Sequence, residues 1–148
     1  MTAPDDGADA LRHEQPVAAP ASVVWTSLTT ERAAWWSGMS FDTEPGAEVV
    51  ERWSEGDTEH VATGTVLSVE PERALAFEWT EPGWPVSLHV QITLHNDGPD
   101  TRLELTEEGF AALEDGADIR AAHAEGWAML LSQLAQHAER RETGLGGL

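Results

Sequence analysis

Polar and apolar residues alternate along most of residues 41–108, and beyond residue 117 the alternation gives way to steps of three and four. A period of two marks strands and a period near 3.6 marks a helix, so the chain divides into a strand-rich middle and a helical end. The cleanest alternation is VSLHVQITLH (86–95), which sends Val86, Leu88, Val90, Ile92 and Leu94 to one face. ALAFEW (74–79) does the same with Leu75, Phe77 and Trp79. AEVVERW (47–53) alternates up to Trp53, and HVATGTVLSVE (60–70) gives Val61, Thr63, Thr65, Leu67 and Val69 a shared face. TRLELTEE (101–108) turns Leu103 and Leu105 inward. EGD (55–57), PER (71–73) and NDGPD (96–100) read as turns, and EPGWP (81–85) as a stiff loop with Trp84 at its tip. The stretch DIRAAHAEGWAMLLSQLAQHAERR (118–141) instead places His123, Trp127, Leu130, Leu134 and His137 on one helical stripe. At 1.5 Å per residue this rod is about 36 Å long, enough to cross a small domain.

Upstream, residues 1–9 are acidic and small and are expected to form a disordered tail, as are residues 142–148 a flexible one. Leu11, His13, Gln15 and Val17 alternate as an edge strand, which Pro16 is expected to interrupt. Pro20 opens a short helix, ASVVWTSL, with Val24, Trp25 and Leu28 inward. Thr30 is placed to cap a second short helix, ERAAWW, which Gly38 ends. The order predicts one α+β domain over residues 10–141. A curved antiparallel sheet wraps the long C-terminal helix, two short helices follow the first strand, and a hollow lies between sheet and helix.

The formal charge is −19, and all eight basic residues are arginine. Such a surface repels phosphate backbones and anionic headgroups, which argues against nucleic-acid and membrane partners. Lysine and tyrosine are absent, and there is one asparagine (Asn96) and two isoleucines (Ile92, Ile119). Residues with A/T-rich codons are thus depleted together, as in a G+C-rich genome. With no cysteine, disulfides, thiolate nucleophiles and cysteine-held metals are excluded. The first ten residues lack a secretory pattern and no apolar run reaches a membrane span, so a cytoplasmic protein is expected, as a monomer or weak dimer.

Seven tryptophans are a heavy indole load for 148 residues. Trp25 and Trp35 read as packing for the short helices. Trp36, Trp53, Trp79, Trp84 and Trp127 are expected to turn toward the hollow, with Leu130 beside them. There an indole offers a broad apolar face and one N–H to a flat ligand. His123, one turn before Trp127, reads either as a ligand contact or proton shuttle, or simply as a histidine bonded to backbone. Gly126, costing about 1 kcal/mol against alanine inside a helix, permits close packing or a wide space beside the backbone, and close packing is the reading preferred. His89 and His95 would be about 20 Å apart along a strand, and His123 and His137 about 21 Å apart along the helix, so neither pair can share a metal. Glu104 faces away from Leu103 and Leu105, and Glu107 and Glu108 point in opposite directions, so the three read as solvated rather than as a paired-carboxylate acid/base set. There is no nucleophile elbow, phosphate loop or dinucleotide fingerprint, so no catalytic residue and no cofactor is assigned.

Four segments in order carry a resemblance: PASVVWTSLTTERAAWW (20–36), GTVLSVEPERALAFEW (64–79), DTRLELTEEGF (100–110) and HAEGWAMLLSQLAQHAE (123–139). They resemble the START-like, birch-pollen-allergen-like (SRPBCC) helix-grip superfamily, in the branch named for the activator of the heat-shock-protein ATPase. The resemblance spans residues 11–141 and implies a helix-grip fold. It also implies one of several activities, since relatives transport ligands, cyclise polyketides, assist chaperones or confer antibiotic resistance. Non-enzymatic binding of a hydrophobic, aromatic or polyketide-type molecule ranks first, in antibiotic biosynthesis or self-resistance. A polyketide cyclase or aromatase using His123 ranks second, and a chaperone-ATPase interaction module last.

Overall fold

The computed structural model describes residues 9–144. Of the expected tails at residues 1–9 and 142–148, residues 1–8 and 145–148 lie outside the described residues, while residues 142–144 continue the C-terminal helix. Strands β1 (Ala10–Val17), β2 (Met39–Ser40), β3 (Glu48–Glu55), β4 (Thr58–Glu70), β5 (Ala74–Thr80), β6 (Leu88–Asp97) and β7 (Asp100–Glu108) form one sheet. The helices are α1 (Ala21–Leu28) and α2 (Gly116–Gly144). The sheet is antiparallel throughout, in the order β1-β7-β6-β5-β4-β3-β2, so a six-strand meander is completed by β1 returning to its far edge. This is the helix-grip α+β fold.

The period-two readings hold in the middle of the sheet. Leu75 and Phe77 on β5, Leu88, Val90 and Ile92 on β6, and Leu103 and Leu105 on β7 are all buried on the face toward α2. On β4 the set with the matching side chains is the outer one. Ala62 and Val66 are buried, whereas Thr63 and Leu67 are exposed. A bulge between Val66 and Ser68 then shifts the register, so Val69 packs partly against the core, out of phase with Leu67. Gly64, opposite Trp79, marks where β4 and β5 approach so closely that a Cβ would strike the Glu78 carbonyl.

Two N-terminal expectations are corrected. β1 runs unbroken through Pro16, which pairs with Arg102. It can do so because β1 is an edge strand, where the missing N–H breaks no inner ladder. The second short helix shrinks to a single 3₁₀ turn, Arg32–Ala34, without a side-chain cap from Thr30. Six residues close too few bonds to propagate a helix, and the Arg32 guanidinium instead donates to the carbonyls of Thr29, Met39 and Phe41.

α2 reaches past both of its expected ends. Its C-terminal half is anchored: Leu131, Leu134, Ala135 and Ala138 are buried, Glu139 accepts from the Ala18 N–H at 2.9 Å, and His137 and Arg141 both pair with Glu31. The helix backbone packs on β1, α1 and a 3₁₀ turn at Phe110–Ala112 rather than across the middle of the sheet. Its N-terminal half therefore spans a space over β3–β5.

Candidate functional site

Strand parity decides what faces that space. On β3 the inward positions are Val49, Glu51 and Trp53; on β5 they end at Trp79; on β7, Leu103 and Leu105 are followed by Glu107. From above, α2 contributes His123, Trp127 and Leu130, and the loop after β5 adds Glu81 and Trp84. Together they enclose a cavity of about 780 Å³. Six of the seven tryptophans line it: Trp35, Trp36, Trp53, Trp79, Trp84 and Trp127. The seven expected ligand contacts, Trp36, Trp53, Trp79, Trp84, His123, Trp127 and Leu130, are thus brought to one wall system. Trp35, expected only to pack a short helix, joins them, while Trp25 stays outside and is partly buried against the core.

The floor is an indole cluster. Trp36, Trp79 and Trp127 are buried, and their rings meet at 5.5–6.3 Å, Trp36 standing edge-on to the other two. Such T-shaped contacts set the ring edge against the electron-rich face. Every indole N–H in this cluster ends on a carboxyl oxygen. Trp36 donates to Glu51 at 2.8 Å, Trp79 to Glu107 at 2.7 Å, and Trp127 to the other Glu107 oxygen at 2.8 Å. The floor therefore presents ring surface and no donor to a ligand.

Glu107 overturns the solvated reading at its own position. Its side chain is 0% exposed and organises three rings, since His123 Nδ1 also lies 3.0 Å from its Oε1. A buried carboxyl needs such partners to offset lost hydration. His123 correspondingly is bonded to this side chain rather than to backbone, and packs between the Phe110, Trp79 and Trp84 rings. Glu104, by contrast, lies on the outer face and meets Arg12 and His95.

Two carboxyls and one imidazole in the cavity titrate abnormally. Burial raises the Glu51 pKa, although the Trp36 hydrogen bond and His123 oppose it. Burial raises that of Glu81 as well. For His123 burial acts downward, but the Glu107 hydrogen bond and the fields of Glu107, Glu81 and Glu51 outweigh it, so the net shift is upward. The imidazolium is thereby favoured in a carboxylate-rich pocket.

Gly126, read as a close-packing point, is the reverse. A Cβ built there meets nothing within 4 Å, and the residue forms part of the cavity wall. Among the described residues no group of three or more His, Asp or Glu side chains is placed to hold a metal ion, and no helix is long and apolar enough to cross a membrane. Sequence reasoning missed Glu51 and Glu107, although the parity signal existed. Each falls in step with apolar residues already read as inward, Glu107 with Leu103 and Leu105, Glu51 with Trp53.

A model of the family described as Activator of Hsp90 ATPase homolog 1-like protein matches residues 18–139. Among curated proteins none matches the chain. Among solved structures, DynU16, a protein of the dynemicin biosynthetic locus, is 29% identical with a TM-score of 0.69. That match covers 92% of this chain and 48% of DynU16, so the chain spans about half of DynU16. The Zhui aromatase/cyclase from Streptomyces sp. R1128 is 21% identical, with a TM-score of 0.72 over 94% of this chain and 98% of that one. The Aha1 dimer from Colwellia psychrerythraea is 16% identical, with a TM-score of 0.69 over 88% and 96%. The latter two likenesses are likenesses of fold.

Proposed function

The chain belongs to the Activator of Hsp90 ATPase homolog 1-like protein family, and from that premise we propose that it binds a hydrophobic small molecule, aromatic or polyketide-type, between sheet and α2 without transforming it. One observation carries this reading: a cavity of about 780 Å³ walled by six indoles. Ligand sites for molecules of drug size fall at about 300–1,000 Å³ and are lined mainly by apolar and aromatic side chains. The likeness to DynU16 supports a setting in antibiotic biosynthesis or self-resistance. Titrating the protein with polycyclic aromatic compounds while following tryptophan emission tests it. Saturable quenching at one-to-one stoichiometry is expected, and no binding across a broad panel would overturn the reading.

The Glu107–His123 contact favours a second reading, in which the same cavity hosts a cyclisation. A histidine oriented through Nδ1 by a buried carboxylate is an arrangement suited to proton transfer at Nε2. Turnover separates the two. If the domain is catalytic, His123→Ala abolishes product formation from a polyketide chain; if it is a carrier, the variant weakens binding and neither protein makes product.

A further inference from the structure

Charge in the cavity is lopsided, with Glu51, Glu55 and Glu81 in its lining against Arg52. Of the six lining indoles, four have their N–H engaged by the protein: Trp36, Trp79 and Trp127 on carboxyls, and Trp35 on the Ser27 carbonyl at 2.7 Å. The Thr80 hydroxyl donates to the Val86 carbonyl, and His60 pairs with Glu55. The Trp53 and Trp84 N–H groups and the Arg52 guanidinium have no partner among the described residues, and carboxyl oxygens are open beside them. Glu51 takes the Trp36 N–H on Oε2, while its Oε1 has no hydrogen-bond partner among the described residues. The Glu81 carboxyl has neither a hydrogen bond nor an ion pair among the described residues. Arg52 is the cavity's single permanent cation, against the lining carboxyls of Glu51, Glu55 and Glu81 and the Glu107 carboxyl beneath. Burial makes a carboxylate costly, and the His123 imidazolium offsets only part of that cost at Glu51 and Glu81, whose pKa values stay raised. The indole faces add to the same preference, because tryptophan is the best aromatic partner for a cation.

We propose that the ligand of this cavity is a cation, an aromatic molecule bearing a protonated amine or similar N–H-rich positive group that meets Glu51 and Glu81 while its rings lie against the indoles. The proposal rests on reading the cavity as a ligand site, and it names the charge that site selects. Anionic ligands, including carboxylates and phosphate-bearing carriers, are disfavoured by the same side chains.

The test uses three probes on one ring system: 1-pyrenemethylamine, 1-pyrenemethanol and 1-pyrenecarboxylate. Affinities are measured by calorimetry at neutral pH and about 0.5 M salt, where attraction to the acidic surface at large is screened. The amine is expected to bind at least about tenfold more tightly than the alcohol, the scale of one desolvated charge contact, and the carboxylate most weakly. Glu51→Gln/Glu81→Gln should bring amine and alcohol affinities together, the amine losing at least about tenfold more than the alcohol. Glu81→Gln alone, at a loop position, should remove part of the preference and keeps the test open should the double variant not fold. Equal affinities for amine and alcohol, or a preference untouched by loss of either carboxyl, overturn the proposal and leave the ligand site standing. If none of the three probes binds, the ligand-site reading falls and this inference with it.

Discussion

Replacing Glu107 by glutamine changes almost no volume and separates what the carboxylate does from how it packs. Its two oxygens accept from Trp79 and Trp127 and meet His123 Nδ1. An amide has one oxygen and one NH₂ in their place. If the amide oxygen faces Trp79, the NH₂ confronts the Trp127 N–H; if it is turned round, the NH₂ confronts Trp79. Either way one buried indole donor loses its acceptor, at a cost of about 1–3 kcal/mol. Glu107→Leu removes both acceptors and should cost about 2–6 kcal/mol, a large part of the roughly 5–15 kcal/mol that holds a domain together. For a chain of this size each kcal/mol lowers Tm by about 2–4 °C, so the glutamine variant should melt about 2–12 °C early. Far-UV circular dichroism with urea titration is the assay, because the substitution itself alters indole emission. A Glu107→Gln protein within about 0.5 kcal/mol of the parent would refute the view that this carboxylate organises the floor.

Other substitutions probe the walls. Trp127→Ala should cost about 3–5 kcal/mol as a core truncation, whereas Trp84→Ala, at the partly buried loop tip, should stay within about 1 kcal/mol and weaken ligand binding; equal melting of the two would make Trp84 core. Gly126→Ala should stabilise α2 by up to about 1 kcal/mol, since its Cβ meets nothing, and Gly126→Leu should fold yet lose affinity because its side chain occupies the cavity. A destabilised Gly126→Ala in thermal melts would mean the wall is closed there. His123 is raised above its ordinary 6.5, so its contribution is complete below that value in the unfolded chain and is lost as pH rises through the folded value. Melting temperature should therefore fall as pH is raised above 6.5. His123→Gln should flatten that slope, and an unchanged slope would contradict the assignment.

The architecture was legible because its signals are local and repeated. Val90, Ile92, Leu103 and Leu105 sit in unbroken alternation, and the α2 stripe through Trp127 and Leu134 spans many turns. What escaped is what depends on a partner distant in sequence. Nothing near Glu107 announces that Trp79 and Trp127 bring their N–H groups to it, so a charged residue in an inward register reads as surface. Gly126 is equally mute, since a glycine in a helix reads the same whether it faces a neighbouring backbone or an empty space. On β4 the bulge at Val66/Ser68 reversed the parity on which the reading of Val69 relied. The 3₁₀ turn at Arg32–Ala34 follows from a side chain taking up backbone carbonyls as far as Phe41, beyond the range of any helix pattern.

The seven indole N–H groups give seven reporters, with Trp25 as the one outside the cavity. A proton–nitrogen correlation spectrum of the indoles, recorded while 1-pyrenemethanol is added, therefore tests directly whether the space between sheet and α2 is a binding site. Shifts at Trp53, Trp84 and the floor indoles that saturate together, with Trp25 unmoved, are the expected result. A spectrum that stays unchanged at saturating probe, or one in which Trp25 moves and the cavity indoles do not, contradicts it.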